Sequence, residues 1–540
     1  MPKSDCNTNI KVAPIIITIT LFLFLSGCQP VSQPPPGVAE GPDNGNPAKE
    51  IEVAATPTAS LPAPTPSITG TIQATATGGP VADPNSDSIR KVTILYTNDE
   101  HGWMEGMEAG RGAANLLSLW REEEGYTEDG PFLVLSGGDM WTGPAISTWF
   151  EGQSMVEVMN AMGYDAAAVG NHEFDFGLEA LQQRIGESDF PYLSANTRYI
   201  TSGQPLTEIG ILPFTVVEVN DLRVGLIGLT TTSTPRTTNP VNVTEFTFLD
   251  YEAALREVVP QVKAVGVDLI LAPGHVCMYE LEPLAWNVGD LDIDMLGGGH
   301  CNELVAQEVN GIILLEGGFH LTTYARATFT YDLERQAVIG LDYGVVVNEG
   351  GLADANIDRI VMGWQGEAEA ELNVVIGYTD KEIAHQSQEL QDMVVDAWLS
   401  NYPADVAITN LGGLRAPIPP GEITLGDIVG VMPFDNTIIE VQLTGADLLK
   451  TIIEGGRPVI GGMQWTGQAW VLTATGEPIE ADAEYSVLVN SFMYAGGDGY
   501  DIFAQADPDA YDTGIQYRQP LIDWIIDQQS NPSKPLLSGQ

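Results

Sequence analysis

The chain has 540 residues, which at about 150 residues per domain leaves room for three or four domains. Its 44% hydrophobic content is ample for a core and excludes a disordered chain. With 22 Lys and Arg against 73 Asp and Glu, the formal charge of −51 excludes a basic duplex-binding face and a polybasic membrane-surface patch, so any anionic substrate must be drawn in locally, by metal ions or a few arginines.

Lys3 and Lys11 precede an apolar run from Ile15 to Leu25, too short for a bilayer span of about 20 residues. A basic stretch before a short apolar core reads as an export signal. The run closes on Leu25-Ser26-Gly27-Cys28, which resembles a bacterial lipobox. The resemblance implies a signal over residues 1–28, lipidation at Cys28 and an extracytoplasmic protein, anchored at the outer face of the cell membrane or in the periplasm. Residues 29–88, with Pro34-Pro35-Pro36 and the stretch from Thr56 to Pro66, are too poor in apolar groups to fold and read as an extended tether. Of four cysteines, Cys6 leaves with the signal and Cys28 takes lipid. Cys277 and Cys301 remain, as a disulfide or as two buried thiols; the sequence leaves both open.

From Arg90 onward short apolar runs alternate with helical stretches, which predicts an α/β architecture. The runs are Val92–Tyr96, Phe132–Leu135, Ala166–Val169, Leu269–Ala272, Ile293–Leu296 and Ile312–Leu315; Glu151–Met162 and Tyr251–Ala264 read as helices. Continuous apolar runs of this length suit strands buried on both faces. Ligands in such folds gather beyond the carboxyl ends of the strands. There the chain places Asn98-Asp99-Glu100-His101, Gly138-Asp139, Gly170-Asn171-His172-Glu173, Gly274-His275 and Gly299-His300-Cys301-Asn302. Four of its six histidines follow predicted strands beside glycines, which permit positive φ and close backbone approach. Mixed Asp, His and Asn donors suit Zn, Mn or Fe. His172 and Asp175, at i and i+3, suit an imidazole oriented by a carboxylate.

These five pieces together resemble the calcineurin-like metallophosphoesterase signature, and their flanks resemble the secreted 5′-nucleotidase / UDP-sugar hydrolase family. The resemblance runs from about residue 90 to 530. It implies a helix-flanked β-sandwich over residues 89–348, a connecting helix over 349–372, and a smaller α+β nucleotide-binding domain over 373–540. It implies two divalent ions, one held by Asp99, His101, Asp139 and Asn302, the other by Asp139, Asn171, His275 and His300. His172 and Asp175 would form the catalytic pair. Glu100 departs from the pattern, where a small residue is usual, and its extra charge has no evident purpose.

In the second domain, Asn410-Leu411-Gly412-Gly413-Leu414-Arg415, Pro433-Phe434-Asp435-Asn436 and Asn490-Ser491-Phe492 through Asp498 resemble the family's substrate-binding elements. Asn410 belongs to the first of these; Arg415 can pair a phosphate bidentately, Phe434 and Phe492 can stack on a base, and Asp498 can accept from ribose hydroxyls. The family's arginine at the start of this domain is missing: the segment here is Ala384-His385-Gln386-Ser387, with His385 reading as a surface residue.

The reading is an exported 5′-nucleotidase, in which hydroxide activated by two metal ions attacks phosphorus in a nucleoside 5′-monophosphate. A 2′,3′-cyclic nucleotide phosphodiesterase or a UDP-sugar hydrolase shares the metal motifs, and a related sulfur-oxidation hydrolase fits less well. The non-enzyme alternative is a catalytically silent surface protein that binds nucleotides. The nucleotide is the expected partner, with the membrane reached only through lipid at Cys28.

Overall fold

Strand Ile89–Thr97 is buried on both faces over its carboxyl-terminal part, from Ile94 to Thr97. Val92, Ile94 and Tyr96 point into a core shared by two sheets, and Leu95 points outward under helices. This alternation recurs through the first half of the computed structural model, which describes residues 87–536. The export signal, Cys28 and the tether up to residue 86 lie outside the described residues, as do residues 537–540.

The first sheet has seven strands. Ile89–Thr97, Phe132–Ser136, Ala166–Ala168, Tyr192–Leu193 and Ile211–Leu212 run parallel, and Thr323–Asp332 and Ala337–Val347 add an antiparallel edge. The second has six: Met295–Gly297 lies between Ile312–Gly317 and Leu269–Ala272, with Leu222–Ile227 parallel to the last, and Leu304–Val309 and Phe214–Val219 form the edges. Leu133, Leu135, Leu226, Leu271, Met295 and Ile313 fill the space between the sheets. Helices Ala113–Leu119, Gln153–Met162 and Gly177–Glu187 cover one outer face, and Tyr251–Ala264 and Met278–Asn287 the other. The first half is thus the helix-flanked sandwich expected, with strands buried on both faces.

Local differences have local causes. The helix expected from Glu151 starts at Gln153, because Gly152 takes a φ of 84° just before it. The strand expected at Ile293–Leu296 is Met295–Gly297, because the Asp294 carboxylate accepts from the Ile270 amide and fixes where pairing begins. His275 does not simply follow Leu269–Ala272. Gly274–His275 is a short strand of its own, paired with Leu229–Thr230. The segment expected to be helical from Glu349 becomes so at Ala355, where the Asp354 carboxylate accepts from the amides of Asn356 and Ile357.

Cys277 and Cys301 are disulfide-bonded, which decides the alternative left open. The bond ties the start of helix Met278–Asn287 to the loop after Met295–Gly297. Helix Ala355–Leu372 lies on Gln153–Met162, with Trp364 Nε1 donating to Glu157. Beyond it a five-stranded mixed sheet runs in the order Pro458–Gly461, Val406–Asn410, Glu484–Asn490, Thr437–Thr444, Tyr511–Gln516. Helices Gln388–Asn401 and Gln519–Asp527 cover one face, Gly445–Glu454 and Ile502–Ala506 the other. Among the described residues no helix is long and apolar enough to cross a membrane.

Candidate active site

The carboxyl ends of the parallel strands and the loops of the second half meet around a cavity of about 310 Å³. Its lining includes Asp99, His101, Asp139, Asn171, His172, Asp175, His300 and Asn302 from the first half, and Asn410, Arg415, Phe434, Phe492 and Asp498 from the second. His275 is fully buried behind Asp139, its Nε2 2.9 Å from Asp139 Oδ2.

The backbone around these residues is unusual. Asp99, His101, Asp139, His300 and Asn302 adopt φ of 50°, 46°, 59°, 74° and 58°. Positive φ in a non-glycine residue is uncommon and clusters at functional sites. The glycines beside them serve mainly to make room. A Cβ on Gly170 would lie 2.1 Å from Asp139 Oδ1, and one on Gly299 2.9 Å from His275 Nδ1. Glu173, fully buried, gathers the turn by accepting from the amides of Asp139, Met140 and Gly170 at 2.9, 2.7 and 2.6 Å.

Each imidazole is oriented by one nitrogen, which leaves the other for the cavity. His101 Nδ1 bonds Thr142 O at 2.8 Å, His275 Nδ1 bonds Gly137 O at 2.9 Å, and His300 Nε2 bonds Ser233 Oγ at 3.2 Å. Imidazoles held this way are the usual form of metal ligands. Two sets of donor atoms lie close enough to hold an ion: His101, Asp139 and His172, and Asp139, His275 and His300. Asp99 Oδ1 adds to the first, 3.8 Å from His101 Nε2, while its Oδ2 accepts from the His300 amide at 3.0 Å. Asn171 Oδ1 and His275 Nε2 are buried without a hydrogen bond; the short His275–Asp139 approach is not aligned as one. Buried acceptors left without a partner beside a carboxylate fit divalent cations. Asn302 is exposed at the rim.

The carboxylates of the cluster make the site one that favours positive charge. Burial opposes charge on His275, but Asp139 and Asp99 push it up to about 10. Burial raises Asp99 to about 6. His101 is driven well below its usual value by burial and then by Arg415, whose Nη2 lies 3.3 Å from His101 Nε2. His172 Nδ1 bonds Asp175 Oδ2 at 2.7 Å, and Asp175 is fixed in turn by hydroxyl donation from Thr142 and Thr238 at 2.7 and 2.8 Å.

Across the cavity the Phe434 ring stacks on His172, with centroids 5.8 Å apart, and lies 6.0 Å from the Arg415 guanidinium carbon. The Phe492 ring lies over Gly497. Asn490 Nδ2 donates to Asn410 Oδ1, and Asn410 Nδ2 to Asp498 Oδ2, each at 2.9 Å, so the buried Asn490 sets the direction of Asp498. His385 is exposed and outside the cavity lining; its Nε2 bonds Leu414 O at 2.8 Å, beside Arg415. Glu100 now has surroundings: fully buried, it accepts from Thr97 Oγ1 and, at 3.0 Å, from Ser136 Oγ, and burial pushes it up to about 8.

Sequence reasoning passed over several residues of the cavity. Thr238, and Thr142 buried behind the lining, hold Asp175 and lie in loops without a motif. Arg457 lines the cavity from a Gly455-Gly456-Arg457-Pro458 turn. Its signal in the sequence was the pair of glycines before an arginine in a chain so poor in cations.

Residues 368–505 match the family described as 5′-nucleotidase, C-terminal domain. A 5′-nucleotidase of Vibrio parahaemolyticus is 28% identical over 513 residues, covering 83% of this chain and 91% of its own length. Protein UshA of Escherichia coli is 26% identical over 483 residues, covering 77% of this chain and 87% of its own. The fold superposes with a TM-score of 0.71 on the crystal structure of a 5′-nucleotidase precursor from Thermus thermophilus, at 23% identity over 82% of this chain and 97% of that one.

Proposed function

We propose that this chain, a member of the 5′-nucleotidase family with a calcineurin-like N-terminal fold, is an exported, metal-dependent hydrolase that releases phosphate from nucleoside 5′-monophosphates. The observation that carries this reading is one cavity lined both by the Asp, His and Asn cluster and by Arg415, Phe434, Phe492 and Asp498. The first part suits phosphate ester chemistry and the second suits a nucleoside.

Asp99, His101, Asp139 and Asn302 would hold one divalent ion, and Asp139, Asn171, His275 and His300 the other, with Asp139 shared. When bound, two such ions supply the Lewis acidity that polarises a phosphoryl oxygen and makes water a nucleophile at neutral pH. The remaining work falls to side chains. Arg415, beside His101, pairs the non-bridging phosphoryl oxygens as a planar fork. His172, held through Nδ1 by Asp175, keeps Nε2 toward the cavity, where it can protonate the departing ribose oxygen. Phe434 and Phe492 offer ring faces to a base, and Asn410 and Asp498 offer hydrogen bonds to ribose hydroxyls. The export signal and Cys28 would place this activity outside the cytoplasm.

The test is phosphate release from AMP by the full chain, stripped of metal and resupplied with Mn²⁺ or Zn²⁺. Metal-dependent release that is lost in Asp139→Asn supports the reading. Two ions bound without release from AMP would move the substrate to 2′,3′-cyclic nucleotides or UDP-sugars. No ion bound would leave a catalytically silent nucleotide-binding protein.

A further inference from the structure

Resting on the two-ion site of the nucleotidase reading, we propose that the Cys277–Cys301 disulfide is a positioning element of that site, so that one of the two ions is held tightly only while the bond is intact. The bond stands among the candidate ligands. Cys277 follows His275 by two residues, and Cys301 lies directly between His300 and Asn302. Two donors of the ion assigned to Asp139, Asn171, His275 and His300 are thus next to it in the chain. The donors Asp99, His101 and Asp139 of the other ion come from the loops after Ile89–Thr97 and Phe132–Ser136, which the bond does not join; only Asn302 lies beside it.

The two ends of the bond differ. Cys277 is the anchor: it is buried, and its carbonyl accepts from the Glu280 and Leu281 amides at 3.0 and 3.1 Å where helix Met278–Asn287 begins. His275 beside it is fully buried and fixed through Nδ1 to Gly137 O. Cys301 is exposed, in the loop after strand Met295–Gly297. The inner ends of the two loops are joined without the bond: the Tyr96 hydroxyl lies 2.9 Å from Gly298 O and 3.2 Å from Gly274 O, and the Gly299 amide donates to Val276 O at 3.1 Å. Farther out, the His300 amide donates to Asp99 Oδ2 at 3.0 Å and the Glu303 amide to Glu316 Oε1 at 2.7 Å. Between those two ties neither Cys301 nor Asn302 makes a hydrogen bond among the described residues. His300 and Asn302 nevertheless keep φ of 74° and 58°, a backbone state that persists only where the surroundings impose it. The disulfide is the restraint on this stretch, with the two Cα atoms 5.2 Å apart.

An ion requires its donors at set distances, with a tolerance of about 0.2 Å. A loop that becomes ordered only on binding subtracts its conformational entropy from the affinity, and a bond that orders it beforehand removes that cost. Groups that orient metal ligands in this way are each worth about 10- to 100-fold in affinity. With Cys301 exposed, the bond is open to a reductant in solution. A phosphine attacks one sulfur, the S–S bond breaks, and the other sulfur leaves as a thiolate that takes a proton. Water then cleaves the sulfur–phosphorus bond, so that two thiols and a phosphine oxide result, the phosphine losing the two electrons that the disulfide gains.

The experiment titrates Mn²⁺ into the metal-stripped full chain by calorimetry, before and after reduction with a water-soluble phosphine that is then removed. Mn²⁺ is the probe because a hard ion gains little from the freed thiols. The expected result is two ions bound to the oxidised chain, with reduction raising the Kd of one ion about 10- to 100-fold and that of the other far less. Oxidised glutathione, which re-forms the bond, should restore the first value. The Cys277→Ser, Cys301→Ser double variant, with no thiols at these positions, should show the same single shift. Two unchanged Kd values in the reduced chain overturn the proposal, as do two values that rise equally, which would mean that the bond supports the fold alone. Should the double variant not fold, judged by circular dichroism, Cys277→Ala with Cys301→Val decides in the same way. Unchanged binding of two ions sinks only this proposal, whereas a chain that binds no Mn²⁺ in either state sinks the nucleotidase reading with it.

Discussion

Asp139 Oδ2 lies 2.9 Å from His275 Nε2 and 4.0 Å from both His101 Nε2 and His172 Nε2, while its Oδ1 accepts from the His172 amide at 2.8 Å. Replacing it by Asn removes the shared negative charge without removing volume. Asp139→Asn is expected to bind fewer than two ions per chain, measured by elemental analysis after dialysis, and to release no phosphate. His172→Asn keeps the ions but loses a proton donor, so kcat should fall by about 10²- to 10⁴-fold with metal content at two per chain. Asn490 touches the substrate region only through Asn410. Asn490→Ala should therefore raise KM more than it lowers kcat, a split that steady-state kinetics reads directly. The sequence made Asp139 and His172 legible because their residue types, beside glycines at predicted strand ends, are the chemistry; Asp498 was legible only through the resemblance of its segment to a substrate-binding element. It could not show that Asn490 directs Asp498 or that Thr142 and Thr238 fix Asp175, because polar residues of those types have many other uses.

At the scale of elements, one device recurs at the entry of parallel strands. Asp165, Asp268, Asp294 and Asp405 each stand one residue before a strand, and each carboxylate accepts from a backbone amide of the neighbouring strand: Val134, Arg223, Ile270 and Ser486, at 2.8, 2.8, 2.9 and 3.0 Å. The pattern of Asp followed by an apolar run is visible in the sequence, but its partner strand is not. Burial raises Asp294 to about 6, against the pull of the Ile270 amide. Below about pH 4 the carboxyl is protonated in folded and unfolded chains alike. Between about pH 4 and 6 only the folded chain keeps the proton, so stability falls as pH rises through that window. The loss is at most about 3 kcal/mol. Asp294→Asn, which retains an acceptor for the Ile270 amide, is expected to flatten the decline in urea-denaturation stability over that window. The disulfide acts between elements as well. It closes 24 residues, so a Cys277→Ser, Cys301→Ser double variant should lose about 3 kcal/mol of stability in denaturant.

For the molecule as a whole, the buried carboxylates and imidazoles of the site are held together in an already acidic chain. Cations that bind the folded state alone add stability by mass action. At a concentration 1,000 times the dissociation constant the gain is about 4 kcal/mol, a rise in melting temperature of roughly 4 °C for a body of this size. Scanning calorimetry with Mn²⁺ or Zn²⁺ should show this rise in the wild type and lose most of it in Asp139→Asn. The cavity needs both halves of the chain: Arg415 and His101 meet across 314 residues of sequence, and Phe434 stacks on His172.

What the sequence determined by itself was local: which runs are strands, where histidines and carboxylates fall at their ends, and which residue types suit metal, phosphate, ribose and base. Apolar continuity and glycine-flanked ligands are written over a few residues, and neighbouring side chains are enough to read them. What only the tertiary structure decided was partnership. A run buried on both faces does not say that one cover is a second sheet and the other a helix layer. A ligand's identity does not say that its backbone turns to positive φ, as in Asp99, His101 and Asp139. Two cysteines do not say whether they bond, and Arg457 in a glycine turn does not say that it faces a cavity. Each of these depends on contacts between segments distant along the chain, which are formed only when the sheets and the two halves pack together.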